Sequence, residues 1–139
     1  MFYEPKKGYP FDKNPFAALV FPRPIGWIST LSKNGIANLA PYSFFNAIAY
    51  EPPQVMFSAT SFHIQGGLKD SIANVLSNSE FVVNLATKKL KTQVNQTSID
   101  APHGIDEFNV FKLKKRKSRI VKPPSIAESP VNLECRLFK

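Results

Sequence analysis

Twelve prolines are spread along the 139 residues of this chain, and they limit the length of its regular elements. Proline donates no backbone hydrogen bond and fixes φ, so it closes strands and interrupts helices. Its spacing here predicts a fold of short segments, in which residues 1–15 form an irregular N-terminal arm. The length suits one domain, so we assign residues 16–139 to a single folded unit.

Alternation of apolar and polar side chains indicates strands between these breaks. In residues 25–31 the side chains of Trp27 and Ile28 fall on opposite sides, and Asn34-Gly35 is typical of a hairpin turn because both residues tolerate positive φ. In the final segment the alternation places Val131, Leu133, Cys135 and Leu137 inward. The predicted strands are residues 25–31, 36–40, 42–50, 54–59, 81–86 and 131–138.

Two segments show helical spacing instead. Residues 70–78 begin at Asp70, a favourable N-cap, and carry apolar side chains at positions i, i+3 and i+4. Residues 88–97 are predicted as a second short helix. Six short strands with two small helices predict a mainly β fold, a barrel or sandwich with short helical insertions.

Several classes of protein are disfavoured by what the sequence lacks. Its apolar runs are far shorter than the roughly 20 residues that span a bilayer, and its start does not resemble a secretory signal. The single cysteine, Cys135, rules out an internal disulfide framework, so we expect a reducing, cytoplasmic location. As an inward-facing thiol, Cys135 is predicted to be an inert apolar side chain rather than a nucleophile.

Most of the net charge of +8 comes from one segment, residues 112–122, which holds seven basic side chains and no acid. Such a run suits a solvated loop or an edge strand protected by lysines. It also suits a nucleic-acid patch or a field that steers small anions. The segment has no aromatic side chains for base stacking, so we favour the solvated loop and predict no nucleic-acid partner.

No catalytic or metal-binding motif is evident. The two histidines, His63 and His103, lack a second ligand at a spacing suited to zinc, and no phosphate loop, dinucleotide fingerprint or nucleophile elbow occurs. Asp106 and Glu107 are adjacent acids that we expect to anchor a turn. We therefore predict no catalytic side chain and no metal site.

Polar residues inside apolar strands indicate a binding site instead. Lys69 precedes the start of the predicted helix, where free N–H groups and the helix dipole favour an anion. Asp70 would compete with that anion unless it caps the helix. Such a site would hold a phosphate at one end and a flat ring against Trp27, Phe44 and Phe45 at the other. The hydroxyls and amide available are those of Ser29, Thr30, Ser43, Asn46, Ser58, Thr60 and Ser61, although each also suits a strand-end or turn cap.

An ordered series of motifs resembles the flavin reductase-like family of FMN-binding split barrels, which includes flavoredoxin and the reductase components of two-component monooxygenases. The series covers nearly the whole chain from Pro22 onward. It comprises residues 23–30 (RPIGWIST), Asn34-Gly35, residues 38–46 (NLAPYSFFN), Pro52-Pro53, Lys69-Asp70-Ser71, residues 80–84 (EFVVN), residues 106–108 (DEF) and residues 128–135 (ESPVNLEC).

This resemblance implies a six-stranded antiparallel split barrel, a homodimer, and non-covalent FMN near the subunit interface. The ring would be held largely by backbone groups of segments such as 27–30 and 41–46, and the phosphate by hydroxyls and Lys69. NAD(P)H would donate hydride to the flavin, so the cofactor carries the chemistry. The implied FMN-binding residues are Trp27, Ile28, Ser29, Thr30, Pro41, Tyr42, Ser43, Phe44, Asn46, Ser61, Lys69 and Ser71.

Three departures from the family pattern accompany this resemblance. Family members continue beyond the position of Lys139, so we expect a barrel that is incomplete at its C-terminal end and binds FMN less tightly. Ser71 stands where threonine is usual, which keeps the hydroxyl, and the loop 62–68 is short.

The sequence leaves three functions open. Two come from the family resemblance: an NAD(P)H:flavin oxidoreductase and a flavoredoxin-like electron carrier. The third, from another class, is a basic nucleic-acid-binding barrel.

Overall fold

The computed structural model describes residues 2–138, in which eight strands form three antiparallel sheets. β1 pairs with both β2 and β5, and β8 pairs with β5, which gives a central four-stranded sheet in the order β2-β1-β5-β8. β3 pairs with β4, and β6 with β7. The strands are β1 (Gly26–Leu31), β2 (Ala37–Tyr42), β3 (Phe45–Tyr50), β4 (Pro53–Phe57), β5 (Glu80–Leu85), β6 (Lys115–Arg116), β7 (Ser125–Ile126) and β8 (Asn132–Arg136).

The mainly β, antiparallel prediction is confirmed, whereas the six-strand count and the closed barrel are not. The predicted strand 42–50 divides, because β2 extends to Tyr42 and β3 begins only at Phe45. Two further short strands, β6 and β7, were not predicted. Within residues 2–138 the three sheets remain separate and do not close on one another.

The first hairpin has the predicted turn. Strands β1 and β2 pair from Gly26 opposite Tyr42 to Leu31 opposite Ala37, and Gly35 adopts a φ of +78° in the turn. At the other end of β1, the ring of Phe45 packs directly on Gly26. A Cβ atom there would lie 2.6 Å from Cδ2 of Phe45, so only glycine permits this approach.

Four α-helices accompany the sheets: α1 (Phe16–Leu19), α2 (Asp70–Asn78), α3 (Lys91–Gln96) and α4 (Glu107–Val110). The prediction for residues 70–78 is confirmed at both ends. The assignment of Asp70 as its N-cap is wrong, because Lys69 occupies the N-cap position and Asp70 is the first helical residue. The predicted helix 88–97 is a 3-10 turn, Lys88–Leu90, followed by α3. None of the helices in residues 2–138 has the length and apolarity needed to cross a membrane.

Two hydrophobic clusters lie beside the central sheet. The first, which we call the sealed cluster, has the larger buried centre, with Leu31, Ala86 and Val94 partly buried at its margin. Its centre is Trp27, Ala37, Leu39, Leu90, Phe108, Leu113 and Ile126. The second, the open cluster, has a buried centre and a partly exposed margin. Its centre is Ile28, Val75, Phe81 and Val83, and its margin is Tyr42, Phe45, Val55, Phe57, Cys135 and Leu137.

The C-terminal strand only partly follows its predicted alternation. Cys135 and Leu137 pack against the open cluster, but Val131 and Leu133 are 49% and 45% exposed, so their predicted inward placement is wrong. Burial raises the pKa of the Cys135 thiol to about 11, which leaves it protonated and unreactive at neutral pH.

The basic segment 112–122 is a loop that contains the two-residue strand β6. Its backbone N–H groups donate to three glutamates: Lys114 to Glu128, Arg119 through Val121 to Glu134, and Lys122 to Glu80. Lys115 also forms an ion pair with Asp106. The segment is therefore fixed to the sheet through its backbone.

Candidate functional site

A cavity of about 320 Å³ opens at the β2 edge of the central sheet. That volume lies within the range of about 300–1,000 Å³ that is usual for small-molecule pockets. Five parts of the chain form its walls: the end of β2, the loop that follows β4, the N-terminus of α2, residues 97–102, and Glu107 of α4.

Many of the predicted binding residues meet in this cavity. The structure places there Pro41, Tyr42, Ser43, Phe44, Ser61, Lys69 and Ser71. Ser58 and Thr60, two further hydroxyls singled out from the sequence, also line it. Segments that are distant along the chain are therefore brought together around one space, with hydroxyl groups along several of its walls.

The N-terminus of α2 and Lys69 face the cavity as expected. Among residues 2–138 no side chain caps this helix end, which leaves its first N–H groups available to a ligand. Lys69 is only 20% exposed, and its ammonium contacts the carboxylate of Asp100, which also lines the cavity. This contact lowers the pKa of Asp100. An anion at this position would share Lys69 with Asp100.

Buried polar groups fix the floor of the cavity. Asn38 donates from Nδ2 to Oγ of Ser71 at 2.7 Å, and both residues are buried. Glu107 accepts a hydrogen bond of 2.9 Å from the N–H of Leu39, and burial raises the pKa of its carboxyl. Burial likewise raises the pKa of the Tyr42 hydroxyl, so that it remains a neutral donor at physiological pH.

The side chains of the other predicted residues lie elsewhere. Trp27 is completely buried in the sealed cluster, where its Nε1–H donates to Oγ1 of Thr97 at 2.9 Å. Thr97 lines the cavity, so the indole supports the wall from behind rather than facing a ligand. Phe45, which we expected beside Trp27 and Phe44, belongs to the margin of the open cluster.

Ile28, Ser29 and Thr30 are buried along β1. Ile28 belongs to the open cluster, Ser29 donates to the carbonyl of Pro124 at 2.6 Å, and Thr30 accepts from Nδ2 of Asn74 at 3.0 Å. The backbone of residues 26–29 pairs with both β2 and β5, so it is engaged within the sheet. Asn46 lies on β3 and accepts from the N–H of Ala47.

Two histidines that are distant along the chain stack beside the cavity. The ring centroids of His63 and His103 lie 3.5 Å apart with planes inclined by 16°. With Asp70 they form a group whose donor atoms lie within 4.8 Å of one another. Imidazole binds a metal through a lone pair in its ring plane, and two stacked rings cannot direct both lone pairs at one ion. In this arrangement Asp70 contacts His103, and His103 stacks on His63.

Several lining residues were not predicted as binding residues, namely Asn38, His63, Thr97, Ser98, Asp100 and Glu107. Most come from residues 97–107, a segment without the strand alternation on which our prediction relied. The Asp106-Glu107-Phe108 motif was the available signal. There Asp106 caps α4 by accepting from the N–H of Asn109 at 3.3 Å, as expected for a turn anchor, while Glu107 turns towards β2.

Comparison with known proteins places this architecture in a family. Residues 18–139 match the model of the flavin reductase like domain. A protein of Aquifex aeolicus is 44% identical over 87% of this chain and 61% of its own length, and one of Deinococcus radiodurans is 39% identical over 86% and 54%. The chain therefore spans a little over half the length of these relatives.

Solved structures agree with this match. Nitrilotriacetate monooxygenase component B from Bacillus cereus superimposes with a TM-score of 0.88 and 27% identity, covering all of this chain and 68% of that one. The 2-nitrobenzoate 2-nitroreductase of Pseudomonas fluorescens gives 0.75 and 29%, covering 86% and 56%. Flavoredoxin of Desulfovibrio vulgaris, at 15% identity and a TM-score of 0.75, shares the fold. The matched domain, the relatives and the shared fold together show that this chain belongs to the flavin reductase-like family.

Proposed function

We propose that this chain binds FMN in the cavity at the β2 edge and belongs to an NAD(P)H:flavin oxidoreductase. One observation carries the proposal: a chain of the flavin reductase-like family has a cavity that combines an uncapped helix N-terminus, an ammonium and several hydroxyls. That set of donors suits a phosphate.

The residues present fit the two ends of FMN. Lys69, Ser71 and Ser61 would hold the phosphate beside the start of α2. Pro41, Tyr42, Ser43 and Phe44 would contact the ring system at the end of β2. When bound, FMN would supply the capacity to accept a hydride from a nicotinamide, and the protein would position it and shield it from water.

The remaining predicted contacts stay predictions. A supporting role behind the cavity wall suits the buried side chains of Trp27, Ile28, Ser29 and Thr30, because their strand, β1, pairs with β2. Asn46 lies on β3 and would reach the ligand only from that neighbouring sheet. A homodimer, as the family resemblance implies, would bring a second chain to this side of the molecule.

Binding is tested by titrating the purified protein with FMN and with riboflavin, which lacks the phosphate, and following flavin fluorescence. We expect Lys69→Ala to weaken FMN by about 1–2 kcal/mol, roughly tenfold, which is the scale of a lost charge-assisted hydrogen bond. Riboflavin affinity should not change. Lys33→Ala, in the turn of the first hairpin, is the matched control. Equal FMN affinity in wild type and Lys69→Ala would remove Lys69 from the site.

Activity is tested by following oxidation of NADH and NADPH with excess FMN. Oxidation faster than with free flavin supports the oxidoreductase. If bound FMN is reduced by dithionite but NAD(P)H is not consumed, the electron-carrier function replaces it. A protein that binds neither FMN nor riboflavin would refute the proposed function as a whole.

A further inference from the structure

The charge around the cavity does not favour an anion as it stands. Three carboxylates line it, those of Asp70, Asp100 and Glu107, against the single ammonium of Lys69. Lys69 is already paired with Asp100. A phosphate adds further negative charge beside Asp70, the first residue of α2, so another group must offset that carboxylate if the phosphate is to bind well.

The carboxylate of Asp70 is turned towards residues 103–104. One oxygen accepts from the N–H of Gly104 at 3.1 Å, and the other contacts Nδ1 of His103. His103 does not line the cavity, so it contacts Asp70 from the side that faces away from the cavity. The Asp70 side chain is 22% exposed, which keeps this contact partly shielded from solvent.

The two histidines differ in the partners of their ring nitrogens. Both nitrogens of His103 face acceptors, Asp70 on one side and the carbonyl of Gly66 at 3.2 Å on the other, so the ring donates to both only when both nitrogens carry a proton. Nδ1 of His63 instead accepts from the N–H of Gln65, and its Nε2 lies 2.9 Å from the carbonyl oxygen of Ala101. The contacts of His103 therefore favour its cationic form.

We propose that His103 is a positioning residue for the anion end of this cavity: its imidazolium holds and neutralises Asp70, and FMN affinity falls when that charge is lost. The inference rests on the proposed function, because it assumes a phosphate beside α2. It gives His103 a role in ligand affinity that the sequence did not reveal.

The direction of the pH effect follows from the same contacts. The hydrogen bond to Asp70, with that to Gly66, raises the pKa of His103 above the ordinary histidine value. The positive charge thus persists to a higher pH than on an ordinary histidine and is lost as pH rises through the raised value. Asp70 and His63 are the titratable groups in contact with His103, and Lys69, Asp100 and Glu107 are the other charged groups that border the cavity.

The experiment measures dissociation constants for FMN and riboflavin across pH 5.5–8.5 in wild type and in His103→Gln. We expect wild-type FMN affinity to fall about three- to tenfold at high pH relative to His103→Gln, as expected for losing one nearby charge in a partly screened site. The phosphate itself ionises near pH 6, but it does so equally in both proteins. Riboflavin affinity should show no such difference.

Two further measurements keep the test independent of how well His103→Gln folds. His103→Arg carries a permanent charge and should not show the additional fall in FMN affinity that wild type shows at high pH. In the wild-type protein, NMR titration of the histidine C–H signals should show the His103 pKa rising when FMN binds and staying constant with riboflavin, because linkage is reciprocal. Lys33→Ala, in the exposed turn of the first hairpin and away from the cavity, is the control and should retain the FMN-specific pH dependence.

The outcomes separate the two proposals. FMN binding with the same pH profile in wild type, His103→Gln and His103→Arg would overturn the role of His103 and leave the proposed function intact. The absence of FMN binding at every pH in the folded wild-type protein would overturn the proposed function, and this inference with it. A fall in FMN affinity at high pH that exceeds the shared effect of phosphate ionisation in wild type, and that is absent from both variants, supports both.

Discussion

The two hydrophobic clusters beside the central sheet differ in how completely they are covered. In the sealed cluster Trp27, Leu39, Phe108 and Ile126 have no exposed surface. Beside the open cluster, apolar side chains remain about half exposed along a groove between the β3–β4 hairpin, α2 and β8. Examples are Ile48 at 58%, Met56 at 47% and Leu76 at 60%.

Both clusters reach the cavity, because Tyr42 in the margin of the open cluster also lines it, but the sealed cluster holds lining residues through completely buried side chains. Trp27 binds Thr97, and Phe108 follows Glu107 in α4, so two lining residues are held from the sealed cluster. Close packing restricts such side chains to one arrangement, whereas a partly exposed margin tolerates rearrangement. We therefore expect stability to depend most on the sealed cluster, and the following substitutions test that expectation.

The largest effect is expected from Phe108→Ala. Truncating a completely buried phenylalanine removes its burial energy and leaves a cavity, at a cost of about 3–5 kcal/mol of unfolding free energy. Phe57→Ala, in the margin of the open cluster, is the matched control and should cost clearly less because Phe57 is partly exposed. Urea denaturation of both variants measures the difference. A loss at Phe57 equal to that at Phe108 would contradict the comparison.

A smaller effect is expected from Thr97→Val. The substitution preserves the shape of the side chain but leaves the buried Nε1–H of Trp27 without its acceptor, at a cost of about 1–3 kcal/mol. The fluorescence of Trp27, the single tryptophan, reports the change directly during urea denaturation. Ser98→Ala removes the neighbouring exposed hydroxyl and should change stability by no more than about 0.5 kcal/mol. Equal losses in the two variants would show that the Trp27 bond contributes nothing.

The smallest effect is expected from Glu134→Gln, and it should depend on pH. Hydrogen bonds from the N–H groups of Arg119, Ile120 and Val121 lower the pKa of Glu134. Its stabilising contribution is therefore present above the ordinary glutamate pKa and is lost as pH falls through the lowered one.

The test compares the unfolding free energy of wild type and Glu134→Gln at neutral and acidic pH. The deficit of the variant at neutral pH should shrink below the ordinary glutamate pKa of about 4.3. Asp100, whose pKa is also lowered, is present in both proteins and cancels. A deficit that is the same at both pH values would mean that the charge of Glu134 is unimportant.

Local patterns in the sequence predicted local structure well. Residues 70–78 form α2 as expected because their apolar positions share one face, and the turn before β2 follows from Asn34-Gly35. The boundary between β2 and β3 was missed because residues 42–50 are mostly apolar and aromatic and contain no proline or glycine to mark the break before Phe45. Asp70 was wrongly assigned as a cap because its true partners, His103 and Gly104, are distant along the chain.

The candidate site was predictable where a strand end or helix start marked it. Tyr42, Ser43 and Lys69 lie at such positions and line the cavity. Trp27 was expected to face the ligand because an aromatic residue in a strand suits a flat ring equally well, and only tertiary packing shows that it fills the sealed cluster. The histidine stack left no local signal, since His63 and His103 meet only when two loops fold together.

The glutamate anchors of the basic segment have a consequence for proteolysis. Trypsin cleaves after lysine and arginine, and residues 112–122 would offer it a dense row of sites if they were mobile. A protease must draw its substrate into an extended strand, which here requires breaking the bonds to Glu80, Glu128 and Glu134. We therefore expect trypsin to cleave residues 112–122 slowly in the folded protein, although their basic side chains are exposed.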